Sequence, residues 1–187
     1  MLDPDNARIY GGDLDGVAIG ALGIAGPEDL DDLEEPWEYA GWLNDNGLDF
    51  NPSDSVQRLR GHQGGAVVRT KMSESDTAFV FRALETKLLT HGLQFDVKER
   101  TTVGGVTRMR LGSGRKVEAR AFVIDLHDEG VHRRFYIPRG EIGERAALAF
   151  RNSEITTYEL TVQIIGDWWE ITNDPALADP SDGGGGV

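Results

Sequence analysis

Residues 154–165, Glu154-Ile155-Thr156-Thr157-Tyr158-Glu159-Leu160-Thr161-Val162-Gln163-Ile164-Ile165, carry the strictest alternation in the chain. Tyr158, Leu160, Val162 and Ile164 fall on one side, and Thr157, Glu159, Thr161 and Gln163 on the other. Successive side chains of a strand point to opposite faces, so this stretch reads as a β-strand with one face in a core and one in water.

The segments before it follow the same grammar. Arg120–Leu126 and Val131–Ile137 read as two strands flanking a four-residue hairpin loop, His127-Asp128-Glu129-Gly130. The second strand is expected to stop at Pro138-Arg139-Gly140. Residues 98–120 form a basic block: Lys98, Arg100, Arg108, Arg110, Arg115, Lys116 and Arg120 stand against Glu99 and Glu118. Glycines at 104, 105, 112 and 114 punctuate it, which predicts a hairpin or long loop. Further back, Thr86–His91 predicts a short helix, with Thr86 as cap and Gly92 as its left-handed stop. Ala66–Met72 reads as a strand, Ser73-Glu74-Ser75-Asp76 as a turn, and Thr77–Leu84 as a second strand or, alternatively, a helix beginning at Asp76. The fold class expected is mainly β: an antiparallel sandwich or barrel with one short flanking helix, an extended N-terminal arm and long loops.

The N-terminal part differs in character. Val17-Ala18-Ile19-Gly20 and Arg8-Ile9-Tyr10 read as short strands between Gly/Asp turns. Residues 26–36, acidic and bounded by prolines, read as an exposed loop with at most one helical turn. Trp37, Tyr39 and Trp42 follow and mark either local core or a contact between subunits. The division expected is an acidic arm and loop over 1–36, a β-domain over 37–170, and a flexible Gly-rich tail over 171–187 ending Gly183-Gly184-Gly185-Gly186-Val187.

Charge follows that division. Residues 1–50 hold 13 acids and one base, Arg8, for −12; residues 51–165 carry +4; residues 166–187 carry −5. Blocks of opposite sign predict complementary surfaces, within the fold or between copies. The 187 residues contain no cysteine, which excludes disulfides, thiolate metal sites and cysteine nucleophiles. No apolar stretch approaches a membrane helix, and the N-terminus has no basic region followed by an apolar run, so neither membrane segment nor secretory signal is expected.

Catalytic chemistry finds little support. His127 and His132 beside Asp125 and Asp128 suggest metal ligands only weakly against a solvated hairpin turn. Gly112-Ser113-Gly114-Arg115-Lys116 lacks the spacing of a phosphate-binding loop. No G-x-S-x-G or H-E-x-x-H motif occurs. No catalytic residue, cofactor or metal is therefore expected. The basic block contains no aromatic residue to stack on bases, and net charge is −13, which argues against a specific nucleic-acid binder.

Five stretches, in order, resemble the tail tube proteins of long-tailed bacteriophages (siphophages), particularly those infecting actinobacteria. They are Gly41-Trp42-Leu43-Asn44-Asp45-Asn46-Gly47-Leu48, Gly61-His62-Gln63-Gly64-Gly65-Ala66-Val67-Val68-Arg69, Leu84-Glu85-Thr86, Arg134-Phe135-Tyr136-Ile137-Pro138-Arg139-Gly140-Glu141 and Ile155-Thr156-Thr157-Tyr158-Glu159-Leu160-Thr161. Gly61 departs from the family's usual aromatic residue, and the 98–120 insert is longer and more basic. The resemblance implies a non-enzymatic virion protein, assembled in the bacterial host cytoplasm into hexameric rings that stack into a tube. The genome is delivered through that tube without specific binding. Implied partners are other copies of the chain, the tape measure protein, the tail terminator and the tail tip proteins. On that reading the wet face of the last strand, Thr157, Glu159, Thr161 and Gln163, faces the lumen, where acids repel phosphate. Arg108, Arg110, Arg115 and Lys116 become ring-stacking contacts. The alternatives are another virion β-protein, such as a tail terminator or head–tail joining protein, or a monomeric ligand-binding β-domain.

Overall fold

Ten strands, one α-helix and two short 3-10 turns lie among the described residues of the computed structural model, which are 4–62, 64–114 and 117–179. In chain order they are β1 (Gly16–Ala21), β2 (Glu38–Tyr39), β3 (Leu43–Arg60), β4 (Val67–Ala83), α1 (Leu88–Gln94), β5 (Asp96–Val103), β6 (Val106–Gly112), β7 (Ala119–Asp128), β8 (Val131–Arg145), β9 (Tyr158–Ile164) and β10 (Trp169–Thr172). The main sheet runs β2-β1-β7-β8-β9-β4-β3, all antiparallel, with β10 added to β8; β5 and β6 form a separate hairpin. The chain is mainly antiparallel β with one helix, as its alternation predicts.

The sheet folds over on itself. Phe79 of β4 meets Phe122 of β7 with ring centroids 5.2 Å apart, and Phe50 of β3 meets Phe135 of β8 at 5.1 Å. The core between the layers is Val17, Ile19, Phe79, Phe81, Phe122, Ile124, Ile137, Ile142, Tyr158, Leu160 and Val162, with Leu93 of α1 closing one end. A fully buried Phe or Leu contributes about 1.5–3 kcal/mol over an exposed one, so this cluster is the main source of stability. β9 behaves as read: Tyr158, Leu160 and Val162 are buried, while Glu159, Thr161 and Gln163 are partly exposed.

The outer face of β1, β7 and β8 is covered as well. The acidic stretch before β2 lies across it, with the Tyr136 hydroxyl donating to the Ile24 carbonyl (3.2 Å) and Trp37 packed edge-on against the Tyr136 ring. Gly26 sits so close to that ring that a Cβ would come within 2.1 Å of it, so only glycine fits. Segment 1–36 is therefore not an arm along its whole length. Val17 and Ile19 of β1 are core residues, because β1 pairs with β7 over six positions.

Four local expectations are corrected. Ser73–Asp76 is not a turn but the middle of β4; the Ser75 hydroxyl donates to Asp54 Oδ1 (2.7 Å) and that of Ser73 to the Ser55 carbonyl (2.9 Å), stitching β4 to β3. β8 does not stop at Pro138 but continues to Arg145. Pro138 falls at the register shift between Arg120 and Phe122 on β7, where the ladder is already irregular and a missing N–H does least harm. The β7–β8 loop is two residues, Glu129-Gly130, because Asp128 pairs directly with Val131. The helix begins at Leu88, with the Thr90 hydroxyl accepting from the Lys87 N–H, and it runs through Gly92 to Gln94. Burial of Leu93 and Gln94 carries it past the glycine. Thr86 instead contacts the Tyr158 hydroxyl. The Gly-rich end at 183–187 lies outside the described residues.

Candidate assembly surfaces

β3 and β4 are long for strands, and only their proximal halves belong to the sandwich. From Asn51 to Arg60 and from Val67 to Asp76, every residue is exposed. At about 3.3 Å per residue this two-stranded ribbon extends roughly 30 Å from the body. Val56, paired with Met72, and Leu59, Val67 and Val68 are 45–73% exposed along it. β3 is also an edge of the sheet, so one whole row of its backbone groups has no strand partner. Pro52, tolerated only on an edge, agrees with that position. The ribbon's end is cationic: Arg58, Arg60, Arg69 and Lys71 occur with no acid between residues 55 and 72.

The basic block forms the β5–β6 hairpin, turned at Gly104-Gly105, both at positive φ. The sequence-predicted stacking residues Arg108 and Arg110 are exposed on β6. Arg110 pairs with Glu99 at 2.8 Å and Lys98 with Asp96 at 2.7 Å, so part of the charge is balanced within the hairpin. Arg115 and Lys116 lie outside the described residues.

The sequence-predicted lumen residues form one polar face together with β8, β4 and β3. Glu159 sits opposite Arg82, Thr161 opposite Val80, and Gln163 lies between Ala78 and Glu141. Arg82 bridges Glu159 and Asp49, each at 2.8 Å, leaving two carboxylates to one guanidinium. Glu141 and Glu144 continue the face on β8. Thr157 lies just before β9, its hydroxyl donating to the Ile155 carbonyl.

A cavity of about 940 Å³ opens at the other end of the body, between residues 10–16, Gly41–Leu48 and the ends of β7 and β8. Its floor is a buried charge cluster. Arg134, 2% exposed, grips Asp125 through Nε (2.6 Å) and Nη2 (3.2 Å). Its Nη1 donates to the carbonyls of Asp29 (3.0 Å) and Asp31 (2.7 Å), pinning the acidic loop. Burial would raise the Asp125 carboxyl, but hydrogen bonds from Arg134, His132 and Tyr39 outweigh it and hold Asp125 below the ordinary carboxylate range. Burial, then the neighbouring Asp125, pushes the Tyr39 hydroxyl up to about 12. His132 bonds Asp125 at 2.9 Å, and its ring stacks on His127 at 4.0 Å. The two histidines are thus partly buried members of this cluster rather than a solvated turn, and no group of three or more potential ligands among the described residues is arranged to hold a metal. Sequence reading singled out neither Arg134 nor this cavity. The one available signal was Arg134 itself, a charge directly before the apolar run Phe135-Tyr136-Ile137.

No helix among the described residues is long and apolar enough to cross a membrane. No curated protein matches the chain. Its fold is similar to a chain from a solved structure described as the virion of a native gene transfer agent particle. The two share 12% identity with a TM-score of 0.46, over 86% of this chain and 97% of the other. The family model described as phage tail tube protein matches residues 5–172, nearly the whole described chain, and this protein belongs to that family.

Proposed function

We propose that copies of this chain close into rings of six and that the rings stack into the tube of a long-tailed phage, the conduit for DNA delivery. The family is structural rather than enzymatic, and the protein is a virion component. The observation that carries the finer reading is the ribbon of residues 51–60 and 67–76. A two-stranded hairpin exposed on both faces is at best marginally stable alone in water, so its exposed apolar residues Val56, Leu59, Val67, Val68 and Met72 fit a surface supplied by another copy. Ring closure would cover the unpaired outer edge of β3, which otherwise invites irregular aggregation.

The polar face of β8, β9, β4 and β3 is the proposed lumen wall, with Thr157, Glu159, Thr161 and Gln163 along it. Carboxylates outnumber cations there, which suits a channel that must pass DNA without retaining it. Arg108 and Arg110 on the exposed β5–β6 hairpin are proposed contacts between stacked rings, and Arg115 and Lys116 extend that proposal. Assembly would take place in the host cytoplasm, with the tape measure, terminator and tip proteins as further partners. Negative-stain electron microscopy across protein concentration and salt tests the reading. Tubes or stacked rings with an open centre are expected; single rings that never stack would instead indicate a terminator, and a monomer under every condition would contradict self-assembly.

A further inference from the structure

We infer that the cavity above Asp125 and Arg134 is the receptor for the cationic end of the β3–β4 ribbon of a second copy, an inference that rests on the tube reading. Three observations converge on it. The first is charge. Six carboxylates line the cavity, against Arg134 as its one Lys or Arg. Asp125 is committed to Arg134, and Glu85 takes the Trp42 N–H (2.8 Å) and Lys87 (3.1 Å). Asp13, Asp32 and Asp45 are exposed and have no ion-pair partner among the described residues. Arg58, Arg69 and Lys71 on the ribbon are likewise exposed and without one.

The second observation is apolar complementarity. Leu14 and Trp42 line the cavity 71% and 66% exposed, which is unusual for a tryptophan in a monomer. The ribbon's end brings Val68, at 73% exposure, with Leu59 and Val67 beside it. A cationic finger with an apolar flank therefore finds an anionic socket with an apolar rim.

The third is placement along one strand. β3 begins at Leu43, in the cavity wall, and ends at Arg60, at the ribbon's tip. Eighteen residues of strand separate socket from finger by on the order of 50 Å. Two complementary patches at opposite ends of one subunit give a head-to-tail contact, which gives the assembly a polarity. Arg134 has a part in this as a positioning residue: by holding the carbonyls of Asp29 and Asp31 it fixes the acidic loop, including Asp32, along the socket.

The chain has no cysteine, so placed thiols test the contact cleanly. Asp45→Cys with Arg69→Cys, treated with a short bismaleimide cross-linker after tube formation, should give a ladder of covalent oligomers. Each cysteine alone should give none. In parallel, Asp13→Lys with Asp45→Lys should raise the critical concentration for polymerisation about tenfold, as should Arg58→Glu with Arg69→Glu, and mixing the two variants should restore it in part. All these positions are exposed, and an unchanged unfolding midpoint confirms that each variant still folds. Tubes that form without a ladder and without charge-swap rescue overturn the socket while leaving the tube reading intact. Failure of the unmodified chain to form any assembly overturns both.

Discussion

The β7–β8 half of this molecule and the outer half of the β3–β4 ribbon are built from the same element, an antiparallel strand pair, and have opposite surroundings. Around β7 and β8 both faces are covered: Phe122 and Ile124 enter the core, while Val123 and Tyr136 lie under the acidic loop with Trp37. On residues 51–60 and 67–76 neither face is covered. Strand pairing alone does not stabilise a structure in water, since its backbone hydrogen bonds replace bonds to solvent at small net gain. The first pair is stable through its own chain. The second, on the proposed reading, is completed by a partner.

That contrast can be broken at several points. Phe122→Ala, in the covered half, should cost about 3–5 kcal/mol in denaturant unfolding of the monomer, because it empties the contact with Phe79 and Phe81. Arg134→Met should cost about 3 kcal/mol by leaving Asp125 buried without its guanidinium, and should also free the acidic loop. The associated pH dependence has a definite sign. Asp125 is held below its ordinary value of 3.8, so its contribution is present above that value and is lost as pH falls through the lowered one. Acid unfolding below pH 3.8 should therefore be shallower in Asp125→Asn than in the parent chain.

On the uncovered ribbon the balance should reverse. Val56→Ser with Met72→Ser should shift monomer stability by less than about 0.5 kcal/mol yet slow polymerisation severalfold, followed by light scattering. If stability falls instead, the ribbon packs on its own chain. The smallest effect is expected at the β5–β6 hairpin. Arg108→Ala with Arg110→Ala should leave folding unchanged and slow assembly modestly, most visibly at low salt, and an identical assembly rate would remove these residues from the stacking contact.

Much of the covered half was legible in the sequence. Period-two alternation placed β9 and its two faces, because burial of one face dictates the residue types there, and the strand–turn–strand pattern of apolar runs placed β7 and the first half of β8. The basic block reads from its four glycines as a hairpin or long loop, and the structure makes it a hairpin turned at Gly104-Gly105. The ribbon was legible only over residues 66–72, for a physical reason. A strand wet on both faces has no need of alternation, so Ser73–Asp76 reads as a turn and residues 51–60 have little strand signature at all. β1 was recognised as a strand, but its buried position depends on pairing with β7 about 100 residues away, which local pattern does not encode. The cavity eluded sequence reading similarly, since its walls come from residues 10–16, Gly41–Leu48 and the ends of β7 and β8.

Hydrogen–deuterium exchange, compared between monomer and assembled protein, tests the central contrast most directly. Amides of β7 and β8 should be protected in both states, whereas those of residues 51–60 and 67–76 should exchange rapidly in the monomer and become protected only on assembly. Equal protection of the ribbon in the monomer, or continued rapid exchange in the assembly, would contradict the account.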